Sequence, residues 1–244
     1  MAWRLAVIPA LCNEHRGANV DRHERKFDKD LGGLKKKLIH MAAIAETMID
    51  KAIGELVNRD ERIAEQVPEF EQELNRYEIE IDEDAITLLA TQQPVAIDLR
   101  FIIAASKINS ELERIGDLVI NITENVHVLV QQPAIKPLID IPRMADLARK
   151  MVRDSLESFV REDVLLAQSV ISTDDQVDSL KEHVIRELLT YMTSDSQTIE
   201  RALALILIAR HLERIADHAT NIAQDVIYLV QARDVRHPGL KRQE

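Results

Sequence analysis

The feature that most constrains this chain is an internal repeat. Residues 108–130, INSELERIGDLVINITENVHVLV, align without a gap with residues 208–230, IARHLERIADHATNIAQDVIYLV, and 11 of these 23 positions are identical. A weaker match relates residues 41–57 to residues 144–160, at an offset of 103 instead of 100. Self-similarity of this kind indicates duplication of one structural unit. The chain is therefore predicted to contain two copies of the same fold.

The spacing of apolar residues in the repeat predicts helices. Apolar residues recur at alternating intervals of four and three, the heptad pattern of a helix that packs along one face. The chain has only six Gly residues, fewer than sheets joined by tight turns require. Its Pro residues fall between long periodic segments, where they start or end helices. We predict an all-α protein made of two tandem three-helix bundles. The seam of the first copy comprises Ile108, Leu112, Ile115, Val119, Ile122, Val126 and Leu129.

The domain organisation follows from the repeat and from the proline-rich stretch between its copies. We expect a variable N-terminal extension, a first three-helix bundle, a linker, a second three-helix bundle and a C-terminal tail. These cover residues 1–26, 27–132, 133–142, 143–233 and 234–244, respectively.

Helix boundaries can be predicted from caps and prolines. In the first copy we expect helices over 34–57, 68–92 and 94–132, with a short helix near 61–67. In the second copy we expect a helix over 143–161 and a short segment over 163–171. Ser172 and Thr173 should then cap a further helix, and residues 194–196 should cap the last one.

Charge and cysteine content exclude several classes of protein. The net charge is −11, and the 9 basic and 5 acidic residues of segment 1–40 leave −15 for the remainder. Such an acidic body repels nucleic-acid phosphates and anionic lipid.

A single cysteine, Cys12, excludes a disulfide framework within the chain. The longest apolar run, 202–209, is too short to span a membrane, and the N-terminus lacks a signal-peptide pattern. We expect a soluble, cytoplasmic protein.

An acidic pair is repeated on the flank of the seam. Glu113 and Asp117 lie one helical turn apart and point away from the core, and Glu213 and Asp217 repeat them. Like charges at this spacing destabilise a helix by a few tenths of a kcal/mol. One interpretation is a solvated face neutralised by neighbouring arginines, and the other is a site for a hard cation. Spacing alone favours the solvated face, because such pairs are common in acidic helices.

Further acidic pairs occur on the second helix of each copy. Glu78 and Asp82 lie on the flank of the second helix's own apolar seam and could face the third helix. Asp178 and Glu182 are the candidates in the second copy, but at offset 103 Glu78 aligns with Lys181. A third pair, Glu46 and Asp50, aligns with two arginines in the second copy, so no duplicated site is expected there.

Histidine patterns point only weakly to metal. A ferritin-like di-iron core needs two ExxH motifs, and only Glu124 with His127 matches, without a second copy. His211 and His218 lie on one helical face, where satisfied surface histidines are the default and His218 could admit zinc. The sequence contains no phosphate-binding glycine loop and no nucleophile elbow, so nothing in it indicates an enzyme.

Two strings resemble the PhoU family of accessory regulators of bacterial phosphate transport. They are QPVAIDLRFIIAASKINSELERIGD (93–117) and HLERIADHATNI (211–222), which are similar to the family signature in its two copies. YEIEIDE (77–83), LTYMTSDSQTI (189–199) and DVRH (234–237) also match the family pattern. The resemblance covers about residues 27–244.

The resemblance implies two tandem three-helix bundles with multinuclear metal clusters on their surfaces, of iron or zinc, with manganese or magnesium as alternatives. Such clusters are held by paired acidic motifs. Carried over residue by residue, the motif falls on Glu113, Asp117, Glu213 and Asp217, on Glu78 and Asp82, and more loosely on Asp178 and Glu182.

The resemblance also implies a regulatory role without catalysis. Members of the family couple the phosphate ABC transporter to a sensor histidine kinase, repress the phosphate-starvation response when phosphate is plentiful, and commonly form homodimers. We therefore expect recruitment to the inner face of the membrane through protein partners, without direct lipid binding. The alternatives are a metal store, a metal-dependent hydrolase on a helical scaffold, or a pure scaffold with a solvated acidic face.

Overall fold

A computed structural model of the protein describes residues 22–236, and this part of the chain contains six long helices and no strand. Helices α1 to α3 form one bundle and α4 to α6 form a second, which confirms the all-α prediction. Short 3-10 turns lie at Glu61–Ile63 and Ser196–Thr198. The long helices are α1 Arg22–Asn58, α2 Val67–Gln92, α3 Ala96–Val130, α4 Asp140–Arg161, α5 Val164–Ser194 and α6 Ile199–Gln231.

The predicted seam is the core of each bundle. All seven seam residues of α3 are buried, and so are their seven counterparts on α6. Burial of one such aliphatic side chain is worth about 1.5–3 kcal/mol. The seam therefore fixes which face of each helix is turned inward. Among residues 22–236, no helix combines the length and the apolar content needed to cross a membrane.

Helix α1 begins earlier than predicted. It starts at Arg22, and its first turns pack on the core through the partly buried Phe27 and Leu31. The start predicted at residue 34 was wrong because the apolar spacing is sparser in these turns. The predicted extension 1–26 is thus helical from residue 22 onward, and residues 1–21 lie outside the described part of the chain. The last residues of the predicted tail, 237–244, also lie outside it.

The second bundle differs from the prediction at the starts of α4 and α5. Helix α4 begins at Asp140, so Pro142 occupies its first turn, where a missing N–H is tolerated. Helix α5 is continuous from Val164, because the Asp163 carboxylate accepts hydrogen bonds from the first free N–H groups of the helix at 2.9 and 3.1 Å. The predicted caps, Ser172 and Thr173, lie inside α5 and donate their hydroxyls to a carbonyl of the preceding turn.

The two bundles are related by a pseudo-two-fold operation, and the ion pairs between α1 and α4 show it. Arg149 Nη1 donates to Asp50 Oδ2 at 2.7 Å, and Arg153 Nε donates to Glu46 Oε2 at 3.0 Å. At the repeat offset of 103, Glu46 corresponds to Arg149 and Asp50 to Arg153. Asp50 thus binds the counterpart of Glu46, and Glu46 binds the counterpart of Asp50. This reciprocal exchange is what a two-fold relation requires.

Contacts between α3 and α6 follow the same rule. Glu111 Oε2 accepts hydrogen bonds from His218 Nδ1 at 2.7 Å and from Asn221 Nδ2 at 3.1 Å. Lys107 Nζ pairs with Asp225 Oδ1 at 3.1 Å. As residue numbers rise on α3 they fall on α6, so the two helices run in opposite directions across the interface. The two bundles therefore pack directly on each other.

We predict that Arg153→Gln destabilises the protein in a pH-dependent way. The Glu46 side chain is 16% exposed, and burial raises the pKa of its carboxyl despite the Arg153 guanidinium. Without that guanidinium, the half-buried carboxylate loses its main partner, and the free energy of unfolding should fall by about 1–3 kcal/mol at pH 7. The loss should shrink as the pH falls toward 5, because the raised pKa lets Glu46 take up a proton in the folded variant at a higher pH than in the unfolded chain.

Urea unfolding followed by circular dichroism measures the effect. The matched control is Arg76→Gln on α2, whose ion pairs with Glu73 and Glu80 are longer, at 3.7 and 3.9 Å, and exposed. The control should change stability by less than about 0.5 kcal/mol. An equal loss for Arg153→Gln at pH 7 and pH 5 would contradict the prediction.

Candidate metal centre

Four predicted carboxylates come together on the flank of the first bundle. We call them the first carboxylate cluster: Glu78 and Asp82 on α2 with Glu113 and Asp117 on α3. Burial raises the pKa of Glu78, and the charges of Asp82 and Asp117 raise it further. The pKa of Glu113 is raised by burial, by Asp117 and by Glu78. The carboxylates therefore repel one another across the groove between the two helices.

Close packing of α2 on α3 holds the first carboxylate cluster in place. Asn109 is fully buried, and its Nδ2 donates to the Glu78 carbonyl at 2.9 Å and to Asp82 Oδ1 at 3.1 Å. Gly116 lets the helices approach, because a Cβ at this position would lie 3.2 Å from Leu74 Cδ1. The sequence thus presses the acidic turns of the two helices together instead of separating them.

Positive charge does little to offset this repulsion. Within residues 22–236, no Lys or Arg forms an ion pair with the four carboxylates of the first carboxylate cluster. Arg114, which the solvated-face interpretation pairs with this row, instead lies 3.3 Å from Glu111 Oε1. Arg114 lowers the pKa of Glu113, but by less than burial, Asp117 or Glu78 raises it. A cluster of carboxylate oxygens without a resident cation suits a hard metal ion.

The second bundle carries an equivalent set, which we call the second carboxylate cluster: Asp174 and Asp178 on α5 with Glu213 and Asp217 on α6. Burial raises the pKa of Asp174 to about 6, and the Asp217 and Asp178 charges contribute to that rise. Burial and the neighbouring Glu213 and Asp178 charges likewise raise the pKa of Asp217.

Asp174 was not among the predicted ligands, because the register between α2 and α5 differs from the predicted offset of 103. The buried residues Leu74, Ile81 and Leu88 of α2 correspond to Val170, Val177 and Val184 of α5, which is an offset of 96. At that offset Glu78 corresponds to Asp174, and Asp82 to Asp178. The offset of 103 fails here because residues 59–66 connect α1 to α2, whereas only residues 162–163 connect α4 to α5. The correct register could have been inferred from the sequence, because Val170, Val177 and Val184 recur every seven residues and mark the buried face of α5.

Glu182 therefore does not belong with the second carboxylate cluster. It is exposed, one turn beyond Asp178, and corresponds to Ile86 of α2. Within the described chain, it is not among the charges that act on Asp174 or Asp217.

Lys181 makes the second carboxylate cluster different from the first. Its Nζ lies 2.7 Å from Asp178 Oδ1 and 2.7 Å from Glu213 Oε1. Burial lowers the pKa of Lys181, but the bonds to these two carboxylates outweigh it and raise the pKa above the ordinary value. The corresponding residue of α2 is the buried Ala85. An ammonium group thus neutralises part of the second carboxylate cluster, and nothing equivalent does so in the first.

The two histidines singled out in the sequence, His211 and His218, are not members of the carboxylate clusters. His218 is 12% exposed and engaged by Glu111 of the other bundle, so it is the satisfied histidine of the default interpretation. His211 has a buried Nδ1 without a hydrogen-bond partner. Burial lowers its pKa, as do Arg214 and Arg210. Neither ring is placed by these contacts as a ligand of the carboxylate clusters.

A further group of potential ligands lies where α4 begins. Atoms of Asp140, His183 and Glu187 fall within 4.8 Å of one another, and His183 Nδ1 is 3.1 Å from Asp140 Oδ2. However, the ammonium of the buried Lys136 is bonded to Glu187. This group already contains its own cation, so it is a weaker candidate for metal binding than the first carboxylate cluster.

Comparison with known proteins identifies the family. The model of the PhoU domain matches residues 38–126 and 141–226, once in each bundle. A relative from Pseudomonas putida, described as a phosphate-specific transport system accessory protein PhoU homolog, is 40% identical over 219 residues, which cover 89% of this chain and 86% of that protein. The phosphate-specific transport system accessory protein PhoU of Escherichia coli K12 is 32% identical over 222 residues. These residues cover 91% of this chain and 92% of that protein.

Solved structures share the fold. The crystal structure of PhoU from Pseudomonas aeruginosa superposes with a TM-score of 0.82 at 37% identity and covers 85% of this chain and 100% of that one. The phosphate transport system regulatory protein PhoU of Streptococcus pneumoniae superposes with a TM-score of 0.77 at 27% identity, covering 86% and 99%.

We predict that Asp174→Asn stabilises the metal-free protein at neutral pH. The pKa of Asp174 is about 6 in the folded protein and 3.8 as the ordinary value. Between these values the folded state binds more protons than the unfolded state, so stability falls as pH rises from about 4 to about 6. The asparagine variant lacks this loss. Its melting temperature should match that of wild type near pH 4 and exceed it at pH 7.

Thermal unfolding at several pH values makes the comparison. Glu182→Gln, at an exposed position of the same helix that is not among the charges acting on Asp174, is the matched control and should follow the wild-type profile. Parallel pH profiles for Asp174→Asn and wild type would contradict the prediction.

Proposed function

The chain belongs to the PhoU family, and from that membership we propose that it regulates phosphate uptake and phosphate-starvation signalling. In this role it couples a phosphate ABC transporter to a sensor histidine kinase and represses the response when phosphate is plentiful. The observation that carries the proposal is the match of the family model in both bundles. Similarity over most of the length of relatives described as transport accessory proteins supports it.

The protein acts in this role without catalysis. The relatives are described as accessory proteins, and no motif for nucleophilic or phosphoryl-transfer chemistry occurs in the sequence. The alternative, a metal store or a metal-dependent hydrolase, is favoured by one observation, the uncompensated first carboxylate cluster on an open flank. A phosphatase assay on metal-loaded protein separates the two, because only a hydrolase would turn over substrate.

The carboxylate clusters serve as metal sites in this proposal. A cation placed among carboxylates converts their repulsion into attraction, which the raised pKa values of Glu78 and Glu113 support. Oxygen ligands suit magnesium, manganese and ferric iron. Because Glu111 holds the His218 ring, iron fits these clusters better than zinc does. In the second carboxylate cluster an ion must also displace Lys181 from two carboxylates.

The net negative charge of the protein indicates how it reaches the membrane. A body with a net charge of −11 does not adhere to anionic lipid. The protein therefore reaches the inner face of the membrane by binding transporter and kinase subunits, and it acts as a homodimer.

Deleting the gene should de-repress phosphate-starvation genes in high phosphate, because the repressing partner is absent. A reporter fused to a phosphate-starvation promoter measures this in the deletion strain and in a strain complemented with the wild-type gene. Complementation should restore repression. Unchanged reporter expression in the deletion strain would reject the proposed regulatory role.

Asp117→Asn with Asp217→Asn should lower the amount of bound metal while leaving helix content intact. Both aspartates are exposed and lie off the apolar seam, so their loss removes ligands and not packing. Elemental analysis of iron-loaded protein, with circular dichroism in parallel, measures both quantities. The control is Asp28→Asn with Asp146→Asn, which removes the same charge from exposed positions outside the clusters. Equal metal content in both double variants would argue against the clusters as metal sites, and unfolding of the first would make its aspartates structural.

A further inference from the structure

The C-terminal end of the first bundle contains a buried carboxyl group with no hydrogen-bond partner. Glu55, in the last turns of α1, is 2% exposed, and its Oε1 is buried without a hydrogen-bond partner. Burial of an unpaired carboxylate is strongly unfavourable. Burial raises the pKa of Glu55, and the nearby Glu61 and Asp60 charges raise it further, while His127 opposes them. Such a group calls for a proton or for a cation closer than the exposed His127 ring, whose Nδ1 lies 3.9 Å away.

A histidine on α3 faces this carboxyl at a separation suited to a shared ion. His127 Nδ1 lies 3.9 Å from Glu55 Oε1, beyond hydrogen-bond distance. Two ligand atoms bound to one zinc ion in tetrahedral geometry are about 3.3 Å apart. The His127 side chain is 57% exposed, so a small rotation of the ring closes the difference.

An open cavity gives an ion access to this pair. It has a volume of about 530 Å³, and its polar lining includes Glu55, His127, Glu124, Glu61 and Glu65. No Lys or Arg is among its lining residues in the described chain. Glu124 precedes His127 by three residues and so lies on the same face of α3. The walls therefore present carboxylates and an imidazole to whatever enters, which excludes anions and favours a cation.

The ring of His127 also has a partner that can orient it. Gln131 Nε2 lies 3.2 Å from His127 Nε2. Amide oxygen and nitrogen positions are interchangeable by a half-turn of the group. After that turn, the Gln131 oxygen accepts the Nε2 proton and leaves the Nδ1 lone pair directed at the ion. Outer hydrogen bonds of this kind are typical of metal-bound histidine.

The second bundle is an internal control for this arrangement. At the corresponding positions it has Ser158 instead of Glu55, Gln224 instead of Glu124 and the buried Ile227 instead of His127. Ser158 satisfies its hydroxyl locally by donating to a carbonyl at 2.7 Å. The fold therefore does not need a buried acid or a histidine at this end. The longer connection over residues 59–66, which supplies part of the cavity wall, is also confined to the first bundle.

We propose that Glu55 and His127 bind a divalent transition metal ion, with zinc as the best fit, and that Glu124 and water complete its coordination. One imidazole with carboxylate oxygens is a ligand set suited to zinc. The site is separate from the first carboxylate cluster, because Glu124 lies seven residues, or about 10 Å, beyond Asp117 along α3. It goes beyond the proposed regulatory function, which does not depend on it.

Zinc itself is the probe, and its position in the wild-type protein is the first measurement. Crystals of the full chain soaked in zinc, with diffraction data recorded at the zinc absorption edge, should show an anomalous peak between Glu55 and His127. This measurement needs no variant. Zinc only at the carboxylate clusters, or no zinc at all, would overturn the proposal.

Affinity in solution is the second measurement. In the Asp117→Asn/Asp217→Asn background, competition with a chromophoric chelator should show that a zinc site persists. Adding His127→Ile, the residue of the second bundle, should weaken that site at least about tenfold, and the isosteric Glu55→Gln should do the same. His40→Gln, which removes a half-exposed histidine far along α1, is the control and should leave the affinity unchanged. Unchanged zinc affinity in both folded test variants would overturn the proposal.

Discussion

The apolar seam of α3, repeated along α6, is the interaction on which the rest of the structure depends. Glu113 follows the buried Leu112 directly, and Asp117 lies one turn further on, so burying the seam turns both carboxylates toward α2. Each helix buries seven seam residues, and burial of each stabilises the fold by about 1.5–3 kcal/mol. Two carboxylates about 6 Å apart near a protein surface repel each other by only roughly 3 kcal/mol. Packing can therefore hold acidic groups together that would otherwise separate.

Divergence between the two copies separates what the fold requires from what a site requires. Both bundles retain the seam and four converging carboxylates. Only the second has an ammonium group among them, at Lys181, where the first has Ala85. In the described chain, only the first places a buried acid without a hydrogen-bond partner opposite a histidine at its far end, at Glu55 and His127. The two copies of one scaffold thus differ in charge, and the cation sites proposed for them should differ in strength.

The same comparison shows how much the sequence could predict. The gapless repeat and its heptad spacing predict the bundles and place Glu113 and Asp117 with their copies correctly, because register within one helix cannot slip. Asp174 was missed, since the shorter connection before α5 shifts the register between α2 and α5 without disturbing either seam. The link from Glu111 to His218 joins residues 107 apart in the chain. Local spacing carries no signal for such a contact, and none for the extra turns at the start of α1.

We propose that the converging carboxylates bind cations and that Lys181 makes the two clusters unequal. The most direct test is a titration of metal-free protein with Mn²⁺, in which electron paramagnetic resonance counts the ions left free. The account predicts a tighter and a weaker class of sites in the wild type. Asp117→Asn should abolish the tighter class, and Lys181→Ala should strengthen the weaker one. Equal classes that do not respond to Lys181→Ala, or no Mn²⁺ binding that depends on Asp117, would contradict the account.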